Sequence, residues 1–350
     1  MDYVRGKELD CNQLWIVSDK FCSAKGNPSL SIDLTVKQRT KDLNQLLKNI
    51  EEFDPEDIIP EKNANCTRRN KCVYFDVCFP EHTKAPDNSI LLLNGCAHKE
   101  EMYAKGIRRM KDADLELVEG NKIQYAQIMA DRENGLFVDK LALKRWYSLI
   151  ESEPAIFLDF EWDVYAVPPY EGMKPLSVLP FQYSMHILNQ GKITHKEYLG
   201  QGDCRKTFIE HLLKDLPKKG KIYAYNALGA EMLRIKELAE QFPEYQKPLT
   251  KINQRMVDLS LPFESGMIYD LKMRGYYSLK TLSKIVDHKH SYKELDVSHG
   301  LEAIIAHRRY AYTTEVEPKR KLRAELLEYC AMDTRELMKV YLWLGKKSQE

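Results

Sequence analysis

The sequence predicts an α/β fold: a mixed sheet with flanking helices across its second half, preceded by a small, mainly helical region that contains cysteines. Three observations lead there. Beyond Pro154, short runs rich in β-branched and aromatic residues alternate with amphipathic helical stretches, the pattern of a sheet covered by helices. Residues 97–153 have helical spacing broken at Gly106 and Gly135, as in short helices joined by turns. Residues 66–78 hold Cys66, Cys72 and Cys78 at equal intervals, a regularity that points to metal or redox chemistry. Three segments are therefore expected: 1–96 with the cysteine cluster, a helical linker over 97–153, and the α/β domain over 154–350.

The elements follow in order. Residues 36–53 (VKQRTKDLNQLLKNIEEF) carry apolar side chains at helical spacing and stop before Asp54-Pro55, where a helix ends. Residues 155–160 (AIFLDF), 178–188 (VLPFQYSMHIL) and 193–199 (ITHKEYL) read as strands, with Asn189-Gln190-Gly191 as a hairpin turn between the last two. Residues 205–216 form an amphipathic helix stopped by Pro217, residues 221–225 a short buried strand, and residues 230–242 a helix ended by Pro243. Met256-Val257-Asp258-Leu259 is a candidate fifth strand, and helices are expected over 278–286, 301–312 and 323–344. Three strands, helix, strand, helix, strand, then helices is the element order of a ribonuclease-H-like domain.

Bulk properties narrow the function. A chain of 350 residues suggests two or three domains. With a formal net charge of +1 there is no global basic field, so nucleic-acid binding needs a local patch. No apolar run approaches the roughly 20 residues that span a bilayer, and the polar start MDYVRGKELD is unlike a secretory signal. A cytoplasmic location is expected, where the eight cysteines are free thiols or metal ligands rather than disulfides.

The chemistry concentrates in two places. Asp159 and Glu161 end the first strand of the α/β domain, and residues i and i+2 of a strand face the same side. Tyr329 and Asp333 stand four apart on a late helix and share a face. Oxygen donors from two elements can thus converge on a divalent metal. Each residue also has an ordinary reading: Asp159 as a turn or capping acid, Tyr329 as a core aromatic, Glu231 as a first-turn helix acid, Asp258 as a turn residue. Their joint order favours a metal site.

Asp159-Phe160-Glu161, then Tyr225-Asn226-Ala227-Leu228-Gly229-Ala230-Glu231, then Tyr329-Cys330-Ala331-Met332-Asp333 together resemble the three motifs of the DEDD superfamily of 3′-to-5′ exonucleases, in its tyrosine-bearing subgroup. The likeness is nearest to a bacterial branch found fused to RecB-like nucleases. The Ser278-Leu279-Lys280 helix start resembles one found before the third motif. The second motif usually reads aromatic-Asp and here reads Ala230-Glu231, so Glu231 or Asp258 is the candidate for the fourth carboxylate. The resemblance implies two Mg²⁺ or Mn²⁺ ions, with Asp159 bridging them. Glu161 would hold one ion and orient water, Asp333 would complete the cage, and Glu231 would act through water. Tyr329 would position the attacking water. Asn226, Lys280, Arg308 and Arg309 are expected on the substrate side, with DNA or RNA as partner. The basic stretches Lys105–Lys111 and Lys319–Arg323 could hold phosphates, or simply be solvated helix faces.

The cysteine trio resembles the C-terminal cysteines of RecB-type nucleases, which carry a [4Fe–4S] cluster with a fourth, upstream cysteine. Cys11, Cys22 and Cys96 are the candidates to supply a fourth ligand here, the alternative being an empty site. Zn²⁺ and buried free thiols are the other readings of the trio. The opening DYVRGKELDCNQLWIVSD resembles the late part of a RecB-like core whose catalytic stretch is missing here, so residues 1–96 resemble a remnant of such a nuclease. Two further functions stay open on this basis: a catalytically inactive nucleic-acid-binding module, and a partner subunit completing a RecB-like nuclease half on another chain.

Overall fold

The computed structural model describes residues 21–22, 28–29, 42–52, 66, 72–118, 121–287 and 300–350. The chain divides into two compact units, Met1–Thr83 and Lys84–Glu350. Among its described residues the first contains an antiparallel pair, β1 (Phe21–Cys22) with β2 (Pro28–Ser29), and the helices α1 (Leu43–Glu51), α2 (Phe75–Cys78) and α3 (Pro80–Thr83). Helix α1 lies within the expected 36–53 span and starts where the Asp42 side chain accepts hydrogen bonds from the Asn44 and Gln45 amides, a standard N-cap. Residues 36–41, Cys11 and the opening DYVRGKELDCNQLWIVSD lie outside the described residues.

The second unit is built on a five-stranded mixed sheet in the order β6-β5-β4-β7-β8. These strands are β4 (Ala155–Val164), β5 (Val178–Asn189), β6 (Lys192–Leu199), β7 (Lys221–Ala224) and β8 (Met256–Asp258). The first three pair antiparallel, while β7 and β8 add in parallel, which is the mixed α/β sheet with flanking helices expected from the sequence. The β5–β6 turn has positive φ at both Gln190 and Gly191, the twist that a two-residue hairpin needs.

Two layers of helix cover the sheet. On one face α7 (Arg205–Asp215), α8 (Glu231–Gln241) and α9 (Gln246–Arg255) bury Phe208, Leu212, Ile235, Leu238 and Ile252 against Ile156, Leu158 and Phe160 of β4. The other face carries Ala155 and Phe157, packed with Trp146, Tyr147, Leu337 and Tyr341. These come from α6 (Lys140–Ile150) and from the 34-residue C-terminal helix, which follows α10 (Leu261–Glu264), α11 (Leu279–Val286) and α12 (Gly300–Tyr312) and is labelled α13 (Val316–Gln349). Alternation along β4 therefore puts Asp159 and Glu161 on the side of Phe157, beneath α13. Among the described residues no helix is long and apolar enough to cross a membrane.

The segment expected as a helical linker is instead part of this unit. After α4 (Lys99–Ala104) and α5 (Lys122–Arg132), strand β3 (Leu136–Val138) pairs antiparallel with β9 (Ile268–Asp270). Tyr147 of α6 lies 5.2 Å from Tyr341 of α13, ring centroid to ring centroid. A three-residue strand has no readable period of its own, and its partner lies far along the chain. The expected division near residue 96 also fails: Cys96 is buried among Ile90, Leu93, Met102 and Met110 within the second unit.

Candidate metal centre

Carboxylate oxygens of Asp159, Glu161 and Asp333 lie within 4.8 Å of one another, and among the described residues they are the one group of three acids, histidines or cysteines at ligand spacing. Glu161 and Asp333 are buried, and Asp159 is half-buried. Burial pushes the Asp159 and Glu161 carboxyls well above the usual range, and the negative charge of Asp333 beside them pushes them further. Three acids crowded in a low dielectric are an expensive arrangement without a cation.

Helix α13 is docked so that these groups meet. Thr334 Oγ1 hydrogen-bonds Ser184 Oγ and His186 Nδ1, each at 2.8 Å, and Gln182 donates to the Leu326 carbonyl at 2.7 Å. Ser184 and Gln182 pair directly with Asp159 and Glu161 across the β4–β5 ladder, so the polar contacts that seat α13 lie beside the two strand acids. With Thr334 on the sheet, the helical turn carries Tyr329 and Asp333 to the flank above Asp159 and Glu161.

Glu231 is buried and, like Asp258, stands outside the three-acid group. It opens α8 after a tight turn in which Asn226, at φ 55°, accepts backbone bonds from Gly229 and Ala230. Burial pushes its carboxyl up to about 8, aided by Asp258 and opposed by the Glu231 and Phe160 amides and by Arg234. Its charge bears in turn on Asp159 and Glu161. Its Oε2 is buried with no hydrogen-bond partner.

Asp258, the other candidate for the fourth carboxylate, serves the loop. Its Oδ1 accepts from the Asn226 amide, the Ser260 amide and the Ser260 hydroxyl at 2.9, 2.9 and 2.7 Å. It stands outside the three-acid group and fixes the turn that delivers Glu231.

Tyr329 is buried, and its phenol receives a hydrogen bond from Lys280 Nζ at 3.4 Å, with the ammonium 5.2 Å from the ring centroid. Burial, then the charges of Asp333, Glu161 and Asp159, push the phenol far up. It stays protonated.

One residue of the site passed unnoticed in the sequence as a spacer of the third motif. Cys330 is fully buried and its Sγ lies 3.4 Å from Asp159 Oδ2 and 3.7 Å from the Asp159 carbonyl. Burial first, and then the nearby carboxylates, push the thiol well up, so it serves Asp159 as a neutral donor. The readable signal was position: one residue beyond Tyr329, the helix turns toward the strand.

Of the other expected substrate contacts, Arg308 is engaged elsewhere. Arg308 forks onto Asp163, with Nε and Nη2 at 2.8 and 2.7 Å from its two oxygens, and anchors α12 to the end of β4. Arg309 is exposed, as is Asn226. In the basic stretch 105–111, Lys105 pairs with Glu101 and Arg109 with the buried Asp131. In 318–323, Arg320 and Lys321 pair with Glu317 and Glu325. The second stretch is a face of α13, whereas the first runs through a turn and a short 3-10 segment in which Arg109 is committed to Asp131. In the first unit Cys66 and Cys78 are half-buried and Cys72 is exposed, all as free thiols. The Cys72 amide donates to the Cys66 carbonyl at 2.9 Å, but the three sulfurs are not brought to ligand spacing.

The donor set fits hard divalent cations. It is all oxygen, drawn from separate elements, as Mg²⁺ and Mn²⁺ prefer, and the orphaned Glu231 Oε2 is a buried acceptor that calls for a cation or its bound water.

Residues 156–278 match a family described as "Domain of unknown function (DUF2779)". The matched stretch runs from β4 to the cap of α11 and contains Asp159, Glu161, Asn226, Glu231 and Asp258, while Lys280, Tyr329 and Asp333 lie beyond it. No curated protein and no solved structure matches the chain.

Proposed function

We propose that the second unit is a metal-dependent nuclease that hydrolyses phosphodiester bonds of DNA or RNA, working from the 3′ end as its resemblance to the tyrosine-bearing DEDD exonucleases implies. The observation that carries this reading is the convergence of Asp159, Glu161 and Asp333, with Glu231 and the protonated Tyr329, from two strand positions and two helices. Asp159, Glu161 and Asp333 would hold two Mg²⁺ or Mn²⁺ ions, and Glu231 would reach them through its free oxygen. Such ions neutralise charge on the attacking and leaving oxygens of a phosphoryl displacement. Glu161 and the Tyr329 hydroxyl orient the attacking water. Cys330 holds Asp159 by one oxygen and leaves the other for a ligand. Lys280, beside Tyr329, offers an ammonium to a substrate phosphate. Of the remaining roles expected from the sequence, an iron–sulfur cluster at Cys66, Cys72 and Cys78 and a RecB-like nuclease half as partner rest on resemblance, and a zinc centre at the same cysteines rests on thiolate chemistry.

The test is degradation of 5′-labelled single- and double-stranded DNA and RNA by the full chain with Mg²⁺ or Mn²⁺. The proposal expects stepwise shortening from the 3′ end, lost by roughly 10³-fold or more in D159A and D333A. Binding of oligonucleotides without any shortening, unchanged by those substitutions, would favour the inactive binding module instead.

A further inference from the structure

Lys280 is out of place by helix chemistry. It is the second residue of α11, whose amino end is capped by Ser278 Oγ accepting from the Thr281 amide at 3.3 Å. A cation in the first turn opposes the helix dipole. Its explanation lies across the cleft. The ammonium sits 3.4 Å from Tyr329 Oη and over the face of that ring, and its charge holds Glu161 down against the burial and the Asp333 charge that raise it. Upstream of α11, Arg274 caps the 3-10 turn Leu271–Met273 in the left-handed conformation at φ 49° and is tied to Asp87 at 2.6 Å.

We infer that Lys280 is a built-in counter-ion of the carboxylate cluster, held on Tyr329, that opposes metal loading until a nucleic-acid phosphate takes up its ammonium. The inference rests on the proposed metal centre and adds a regulation to it. Two consequences follow from electrostatics. A unit positive charge a few ångströms from a site for a doubly charged ion weakens that ion's binding. A phosphate that engages the ammonium relieves the opposition, so metal and substrate bind with positive coupling, and linkage makes that coupling reciprocal. Lys280 also donates to Tyr329 Oη, which leaves the phenol hydrogen for another acceptor and fixes the rotor of the proposed water-positioning group. A lysine suits this role because its ammonium is a compact point charge on a flexible stem that can turn from phenol to phosphate.

The experiment measures Mn²⁺ binding to the full chain by the loss of the free-ion resonance signal, alone and with an uncleavable oligothymidylate of phosphorothioate linkages. Wild type is compared with K280M, which keeps the apolar stem, and K280R, which keeps the charge. The expected result is Mn²⁺ binding at least about fivefold tighter in K280M than in wild type without the oligonucleotide, and within about twofold of wild type in K280R. The oligonucleotide should tighten Mn²⁺ binding to wild type and have a much smaller effect on K280M. A structural role would weaken binding or leave it unchanged. K280M binding Mn²⁺ no more tightly than wild type, with wild type binding normally, overturns this inference and leaves the metal centre standing. A wild-type chain that binds no Mn²⁺ in either condition overturns the metal centre itself, and this inference with it.

Discussion

Asp163 stands two residues beyond Glu161 on strand β4, yet the two carboxyls are driven in opposite directions. Burial pushes Asp163 up, but the fork from Arg308, with bonds from Tyr165 and the Val164 amide, outweighs it and holds the group below the usual carboxylate range. Asp131, in the same unit, is treated alike: burial is outweighed by Arg109, the Lys111 amide and Asn88. Asp159 and Glu161 have no such fork, and burial plus neighbouring acids drive them up. A buried carboxylate that supports the fold is given its cation by the chain, because an unpaired buried charge is costly. Carboxyls such as Asp159 and Glu161, which burial and neighbouring acids drive up, are ones that the fold tolerates for another purpose. The register shift between Glu161 and Trp162 marks the boundary between the two regimes, as bulges often do beside functional sites.

That contrast can be broken by substitution. The largest expected effect separates the two candidates for the fourth carboxylate. E231Q should lower metal-dependent hydrolysis about 10²-fold with little change in stability. D258N should cost about 1–3 kcal/mol of stability, since its Oδ1 accepts three hydrogen bonds, and lower activity less. Steady-state rates beside thermal denaturation of both variants check this, and the reverse ranking would mean that Asp258 is the ligand.

A smaller effect, but of opposite sign at the two sites, is expected for stability without metal. D163N strips Arg308 of its bidentate partner and should lower stability by about 1–3 kcal/mol. D159N removes a repelling charge from the cluster and should raise the melting temperature. Calorimetric scans in the presence of a chelator read both, and a loss of stability in D159N would mean that its carboxylate already has a cation from the chain.

The acid cluster in this contrast was legible in the sequence, and its ion-paired counterpart was not. Strand β4 announced itself through a short apolar run after Pro154, and Asp159, Glu161, Tyr329 and Asp333 through spacings of two and four that map onto one face of a strand and one of a helix. The Gln190-Gly191 turn was readable because only a few residues accept positive φ at both centres. Partners distant in sequence left no local trace. Arg308 read as a phosphate holder because charge alone does not reveal that Asp163, 145 residues away, takes its fork. Cys330 read as a spacer because a thiol's partner is set by how α13 sits on the sheet, and that seat depends on Thr334, Ser184 and Gln182. Residues 97–153 read as a linker because β3 is three residues long and finds β9 only in three dimensions.

The central claim is that the three-acid group with Glu231 takes divalent cations, and titration calorimetry tests it most directly. Mn²⁺ and Mg²⁺ should bind the wild-type chain at one to two ions each, consistent with a two-ion phosphoryl-transfer site. Binding should be lost in the D159N/D333N double variant and retained in R308A, whose substitution removes a structural pair and no ligand. Wild-type protein that takes up neither ion with or without an oligonucleotide, or a double variant that binds them as well as wild type, would contradict the account.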